Sequence, residues 1–278
     1  MTELQTILFA FFLTLIAGLS TGIGSFIAFF TKRTSTKFLS VALGFSAGVM
    51  IYVSFVEIFF EAKRSLVAAL GDVRGNWITI MAFFTGMLVI ALIDKLVPSY
   101  ENPHELRSVE EIDKTSNVKY KNNKKLDTKK LMRTGVYTAL AIAIHNFPEG
   151  IATFTAAYKD ISLGIAITIA IALHNIPEGI AIAVPIYYAT GDKKKALKFS
   201  FLSGFAEPLG AIIAYVILLP FLNDVVFGIL FASVAGIMVF IALDELLPAS
   251  REYGEPHLSV YGLVLGMAVM AVGLQLFI

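Results

Sequence analysis

The sequence predicts an all-α membrane protein of eight transmembrane helices, arranged as three, two and three with inverted repeats. Three observations carry that expectation. Apolar residues make up 57% of the 278 and charged residues only 15%, whereas a soluble domain needs about a quarter of its residues charged. The charges crowd into short segments between long apolar runs. A polar octapeptide inside one apolar run recurs inside the next.

Taken in order, the spans fall at about 4–30, 38–60, 76–97, 132–157, 161–188, 196–220, 225–248 and 257–278. Each holds eighteen or more mostly apolar residues, the length a helix needs to cross a bilayer. The fourth and fifth contain His, Asn, Pro and Glu near their middles, but their flanks are too apolar for loops. No Lys or Arg precedes Lys32, and the first run is too long for a cleavable signal. Segment 99–131 is rich in Lys, Asn and Glu and reads as a solvated cytoplasmic linker holding the lone His104. The chain thus divides into helices 1–3 (1–98), the linker (99–131) and helices 4–8 (132–278), forming a single domain overall.

Basic residues orient the spans. With both termini outside, the outer loops hold Lys63, Arg64, Arg74 and Lys159, and the inner side holds the other eighteen of the 22. That places the chain in the cell (inner) membrane with both ends away from the cytoplasm. A net charge of +1 and no basic groove argue against a nucleic-acid partner. Zero cysteines exclude disulfides, thiolate catalysis and Cys-ligated metal.

The repeated octapeptide runs His145-Asn146-Phe147-Pro148-Glu149-Gly150-Ile151-Ala152 and again from His174 to Ala181, identical at seven of eight positions. A fainter match joins spans 2 and 7, with Ala47-Gly48 against Ala235-Gly236 and Glu57 against Glu245. Another joins spans 1 and 6, with Gly18 and Gly24 against Gly204 and Gly210. Spans five apart cross in opposite directions, so the outer triplets read as inverted repeats about a central pair, a common transporter plan. Asp94 and Asp244-Glu245 lie near cytoplasmic helix ends and read as structural.

Glu57, Glu149, Glu178 and Glu207 fall well inside spans whose middles hold no Lys or Arg to neutralise them. An ionised carboxylate at the bilayer centre costs about 2.5–3.5 kcal/mol by insertion scales. Protonation or a bound cation must offset that. Geometry favours the cation. At 100° per residue, Glu149 lies between His145 and Asn146 on one helix face, and Glu178 lies likewise between His174 and Asn175. Two such faces opposed suit two neighbouring ions with bridging carboxylates. Pro148 and Pro177 release the carbonyls of Ile144 and Leu173, and Pro208, beside Glu207, releases that of Gly204. Imidazole, carboxamide and carboxylate without thiolate suit Zn²⁺, Fe²⁺, Mn²⁺ and Co²⁺, whereas Ca²⁺ and Mg²⁺ prefer oxygen alone.

At these residues the chain resembles the ZIP family of divalent metal transporters, along all eight spans. The paired His-Asn-x-Pro-Glu-Gly motifs carry the resemblance. It implies Zn²⁺ uptake into the cytoplasm, with tolerance for Fe²⁺, Mn²⁺ and Co²⁺, and no cofactor beyond the transported ions. It assigns Asn146, Glu149, His174, Asn175, Glu178 and Glu207 as metal ligands, with His145 adjoining and Glu57 facing the same pathway. It also implies a transport bundle sliding past a scaffold that forms a homodimer. One departure is that the loop between spans 3 and 4, often His-rich in the family, holds only His104. Export of the same ions remains an alternative. An intramembrane metallohydrolase is a second alternative, although no His-Glu-x-x-His site occurs.

Overall fold

The computed structural model describes residues 1–29, 36–96, 124–252 and 256–276. Among these no strand occurs, and eight helical rods follow one another. Helix α1 is Glu3–Ala28. Helix α2 runs Thr36–Val53, passes through a five-residue π segment at Ser54–Ile58 and continues as Phe59–Leu70. Helices α3 (Asp72–Leu96), α4 (Lys124–Lys159) and α5 (Ile161–Thr190) follow. Helix α6 starts as Lys193–Gly204, breaks at Phe205, resumes as Ala206–Ile213 and ends in a π and a 3-10 turn at Phe221. Helix α7 comprises Asp224–Ile241, a π segment at Ala242–Leu246, and Leu247–Glu252; α8 is Pro256–Gln275.

Seven rods are long and apolar enough to cross a membrane, and α4 is not among them. Its 36 residues begin on a lysine-rich turn, and the residues around its polar set are less rich in Ile than those around the same set in α5. Two boundaries differ most from the hydropathy reading. Helix α2 continues past 60 because Phe59–Leu70 is amphipathic: Ala62, Ser65 and Leu66 are buried, while Lys63 and Arg64 face out. Gly71, at φ 80°, ends it in a conformation that costs glycine little. Helix α4 begins at Lys124 rather than 132, so the last eight residues of the expected linker are helical. The rest of that linker, with His104, lies outside the described residues. Side chains of Asp160, Asp192 and Asn223 accept backbone N–H bonds at the starts of α5, α6 and α7, satisfying donors that a helix start leaves bare.

The rods pack as two groups. Helices α1, α4, α5 and α6 pack on one another, as do α2, α3, α7 and α8; the groups meet chiefly where α2 crosses α5 and α7 crosses α4. At one end of this meeting, the Lys159 ammonium on α4 lies 3.0 Å from Asp224 on α7 and donates to Ser65 on α2 at 2.8 Å.

Close contacts inside each group come in matched pairs. A Cβ on Gly18 would overlap the Gly204 carbonyl, and one on Gly204 the Gly18 carbonyl. Gly24 of α1 abuts Ile176 of α5, and Gly210 of α6 abuts Phe147 of α4. Gly150 meets the Glu207 carbonyl, and Gly179 meets that of Thr21. In the second group Gly48 meets Leu263, and Gly236 meets Phe83. The pairs among α1, α4, α5 and α6 keep the numbering offsets of the sequence matches, as do Gly48 with Gly236 and the π segments of α2 and α7: Ser54 matches Ala242, and Ile58 matches Leu246. Small residues let helix backbones approach closely in a membrane, where dispersion contacts replace the hydrophobic drive.

Candidate metal centre

All seven residues singled out in the sequence are buried, none more than 1% exposed. Helix α4 supplies His145, Asn146 and Glu149, α5 supplies His174, Asn175 and Glu178, and α6 supplies Glu207 just beyond its break at Phe205. The helices run through Pro148 and Pro177 without interruption. The Gly204 carbonyl released by Pro208 is the one lying against Gly18 of α1.

Contacts across the centre are crossed. His174 Nε2 lies 3.3 Å from Glu149 Oε2, and His145 Nε2 lies 3.6 Å from Glu178 Oε2. Each carboxylate therefore reaches the facing helix, not the His and Asn of its own helix as the single-helix projection suggested. The Asn175 amide donates to Glu207 and, at 3.0 Å, to the Ala17 carbonyl of α1. The Asn146 amide donates to the Ser203 carbonyl of α6 at 3.5 Å. The histidine–glutamate pairs form one layer. The two asparagines and Glu207 form the next.

Many donor atoms are left over. Among the described residues, Asn146 Oδ1, Asn175 Oδ1, Glu149 Oε1, both Glu178 oxygens, Glu207 Oε2, His145 Nε2 and His174 Nδ1 are buried without a hydrogen-bond partner. A buried acceptor left unmade costs about 1–3 kcal/mol, more when charged. These atoms are oxygens and imidazole nitrogens, the types that hold divalent first-row metals. Among the described residues no three His, Asp or Glu side chains are already gathered as a metal cluster. The acids engage their partners pairwise, and an ion would replace those pairings.

Glu245, read from the sequence as structural, places its Oε2 3.9 Å from His145 Nδ1. It is the one acid that the second helix group brings to the centre in these contacts. Its sequence match to Glu57 is the available signal, and both residues sit in the paired π segments, which often mark functional sites. Glu57 itself is half-buried on α2 and stands outside the contacts just described. Ser46 of α2 also touches the centre, donating to the His174 carbonyl at 3.1 Å.

The family model described as ZIP zinc transporter matches residues 96–273. Similar relatives include proteins named zinc transporter ZupT. The one from Oceanobacillus iheyensis is 63% identical over 98% of this chain and 99% of its own length. Those from Clostridium perfringens (62%; 99% of this chain, 98% of the relative) and Streptococcus mutans (59%; 99% of each) are comparably close.

Proposed function

The chain belongs to the ZIP zinc transporter family, a family of transporters and not enzymes, and on that premise we propose that it takes up Zn²⁺ into the cytoplasm through a two-ion centre. The observation that carries this reading is the buried set of unpartnered oxygens and imidazole nitrogens on α4, α5 and α6. One ion would take the layer of His145 and His174, and the second the layer of Asn146, Asn175 and Glu207. Glu149 and Glu178 bridge the two. Fe²⁺, Mn²⁺ and Co²⁺ would share the route, since no thiolate biases the site toward softer ions.

The proposal extends to topology. Eight spans in a three, two and three plan, with both ends outside an inner membrane, are supported by the paired glycine contacts and by the basic residues of the inner loops. In this reading α4 crosses as well, because its polar face is covered by α1, α5 and α6. All seven ligands belong to the group of α1, α4, α5 and α6, which supports a bundle that carries ions past the other four helices. Those four would form the homodimer.

The test is ⁶⁵Zn accumulation by a zinc-uptake-deficient bacterial host expressing the chain. Accumulation above the empty-vector control is expected; faster loss than the control would replace uptake with export. A second expectation concerns Glu207. Glu207→Ala removes an oxygen from the oxygen-rich layer, so competition assays should show Fe²⁺ or Mn²⁺ flux falling more than Zn²⁺ flux, because Zn²⁺ accepts four ligands and the others favour six. Equal losses for every metal would count against a separate role.

A further inference from the structure

We infer that Thr21 of α1 is a specificity-determining residue of the oxygen-rich ion site, its hydroxyl facing the ion opposite Glu207, directly or through a metal-held water. This rests on the two-ion reading above and deepens it. The pairing of contacts relates α1 to α6 and α4 to α5. Gly18 and Gly204 touch reciprocally, and the Ala17 and Ser203 carbonyls accept from Asn175 and Asn146. Gly179 rests on the Thr21 carbonyl as Gly150 rests on that of Glu207. Thr21 is thus the counterpart of Glu207, four residues beyond Ala17 as Glu207 is four beyond Ser203.

The hydroxyl has a reason to be available. Thr14, Thr79, Thr153, Thr168 and Thr190 each donate to the carbonyl four residues earlier, at 2.7–2.9 Å. For Thr21 that acceptor is the Ala17 oxygen, which the Asn175 amide already occupies. Thr21 is 0% exposed, and its Oγ1 has no partner. A buried hydroxyl without water or protein partners is costly, and an ion site beside it removes the cost.

The chemistry follows from the pairing. Asn146 and Asn175 with Glu149 and Glu178 offer oxygen from both sides, Glu207 adds a fifth group and Thr21 a neutral sixth. Six oxygens suit Mn²⁺ and Fe²⁺-type coordination better than four-coordinate Zn²⁺. A second carboxylate in place of Thr21 would hold the ion more tightly and slow its release. The neutral hydroxyl completes the shell without that charge.

The experiment is calorimetric titration of the full-length chain in detergent with Mn²⁺ and Zn²⁺, comparing wild type, Thr21→Ala, Thr21→Val and Thr21→Ser. Outer-shell partners of metals are worth about 10–100-fold in affinity, so Ala and Val should weaken Mn²⁺ binding by that factor. Zn²⁺ at the histidine layer should stay near wild type, and Ser should restore Mn²⁺ binding. Ala leaves a gap and Val keeps the shape, so whichever variant folds decides the question. Unchanged Mn²⁺ affinity in it, or equal weakening in all three variants, would overturn the assignment. A wild-type chain that holds only one ion would instead overturn the two-ion reading.

Discussion

Glu149→Ala and Glu178→Ala are each expected to abolish metal transport and to cost the chain more than one bound ion's worth of affinity. Each carboxylate faces the histidine of the opposite helix, and in the proposed two-ion centre each serves both ions. Outer-shell partners already contribute about 10–100-fold, and a bridging ligand should exceed that. Asn146→Ala removes an oxygen from one layer only and should retain some Zn²⁺ flux with altered selectivity. Glu149→Asp should be intermediate, since metal–oxygen distances of about 2.0–2.2 Å leave little slack. Binding stoichiometry in detergent decides it: wild type should hold two ions, and the Glu149 variant clearly fewer than the Asn146 variant. If both variants lose the same single ion, the bridged centre is wrong. Stability should change little. Without metal, each alanine variant removes a buried carboxylate, and the facing histidine it leaves without a partner can rest as a neutral imidazole, so these variants should melt near wild type, while the rise in melting temperature on adding Zn²⁺ should vanish.

Much of this centre was legible in the sequence, because a buried carboxylate in an apolar run is expensive and two copies in register are hard to explain by packing alone. The crossed pairing was not legible. A projection of one helix shows which residues share a face, but not that α4 and α5 face each other closely enough for Glu149 to meet His174. Glu245 reads as structural in the sequence for a related reason. Its place near a helix end suggested easy solvation, whereas α7 turns it toward His145 through a π segment that leaves no mark in composition. Hydropathy located the apolar rods well, since it reports what lies among lipid or core. It misjudged where α2 ends and α4 begins because both helices run on into amphipathic or charged turns, where continuity depends on backbone hydrogen bonds and tertiary cover.

Gly150→Ala and Gly179→Ala are expected to lose folded protein, in contrast to the carboxylate variants. A Cβ at Gly179 would overlap the Thr21 carbonyl, and one at Gly150 the Glu207 carbonyl. In both cases the obstacle is backbone, which cannot rotate aside as a side chain can. Helices α1 and α5, or α4 and α6, would have to separate along their crossings. Overpacking a tight interior costs about 1–3 kcal/mol, and forcing two helices apart also weakens the dispersion attraction along their whole crossing. Gly273 supplies the control, because a Cβ there meets nothing within 4 Å. Gly273→Ala lies in the last turns of α8 and should be neutral or stabilising by up to about 1 kcal/mol, since alanine is the better helix former. Size-exclusion profiles and melting temperatures of metal-free protein are the measurements. Gly150→Ala and Gly179→Ala should fall together, since their contacts are counterparts, and Gly273→Ala should match wild type. If Gly179→Ala elutes and melts as wild type does, the close approach of α5 to α1 is wrong. The placement of Thr21 opposite Glu207 would then lose one of its supports.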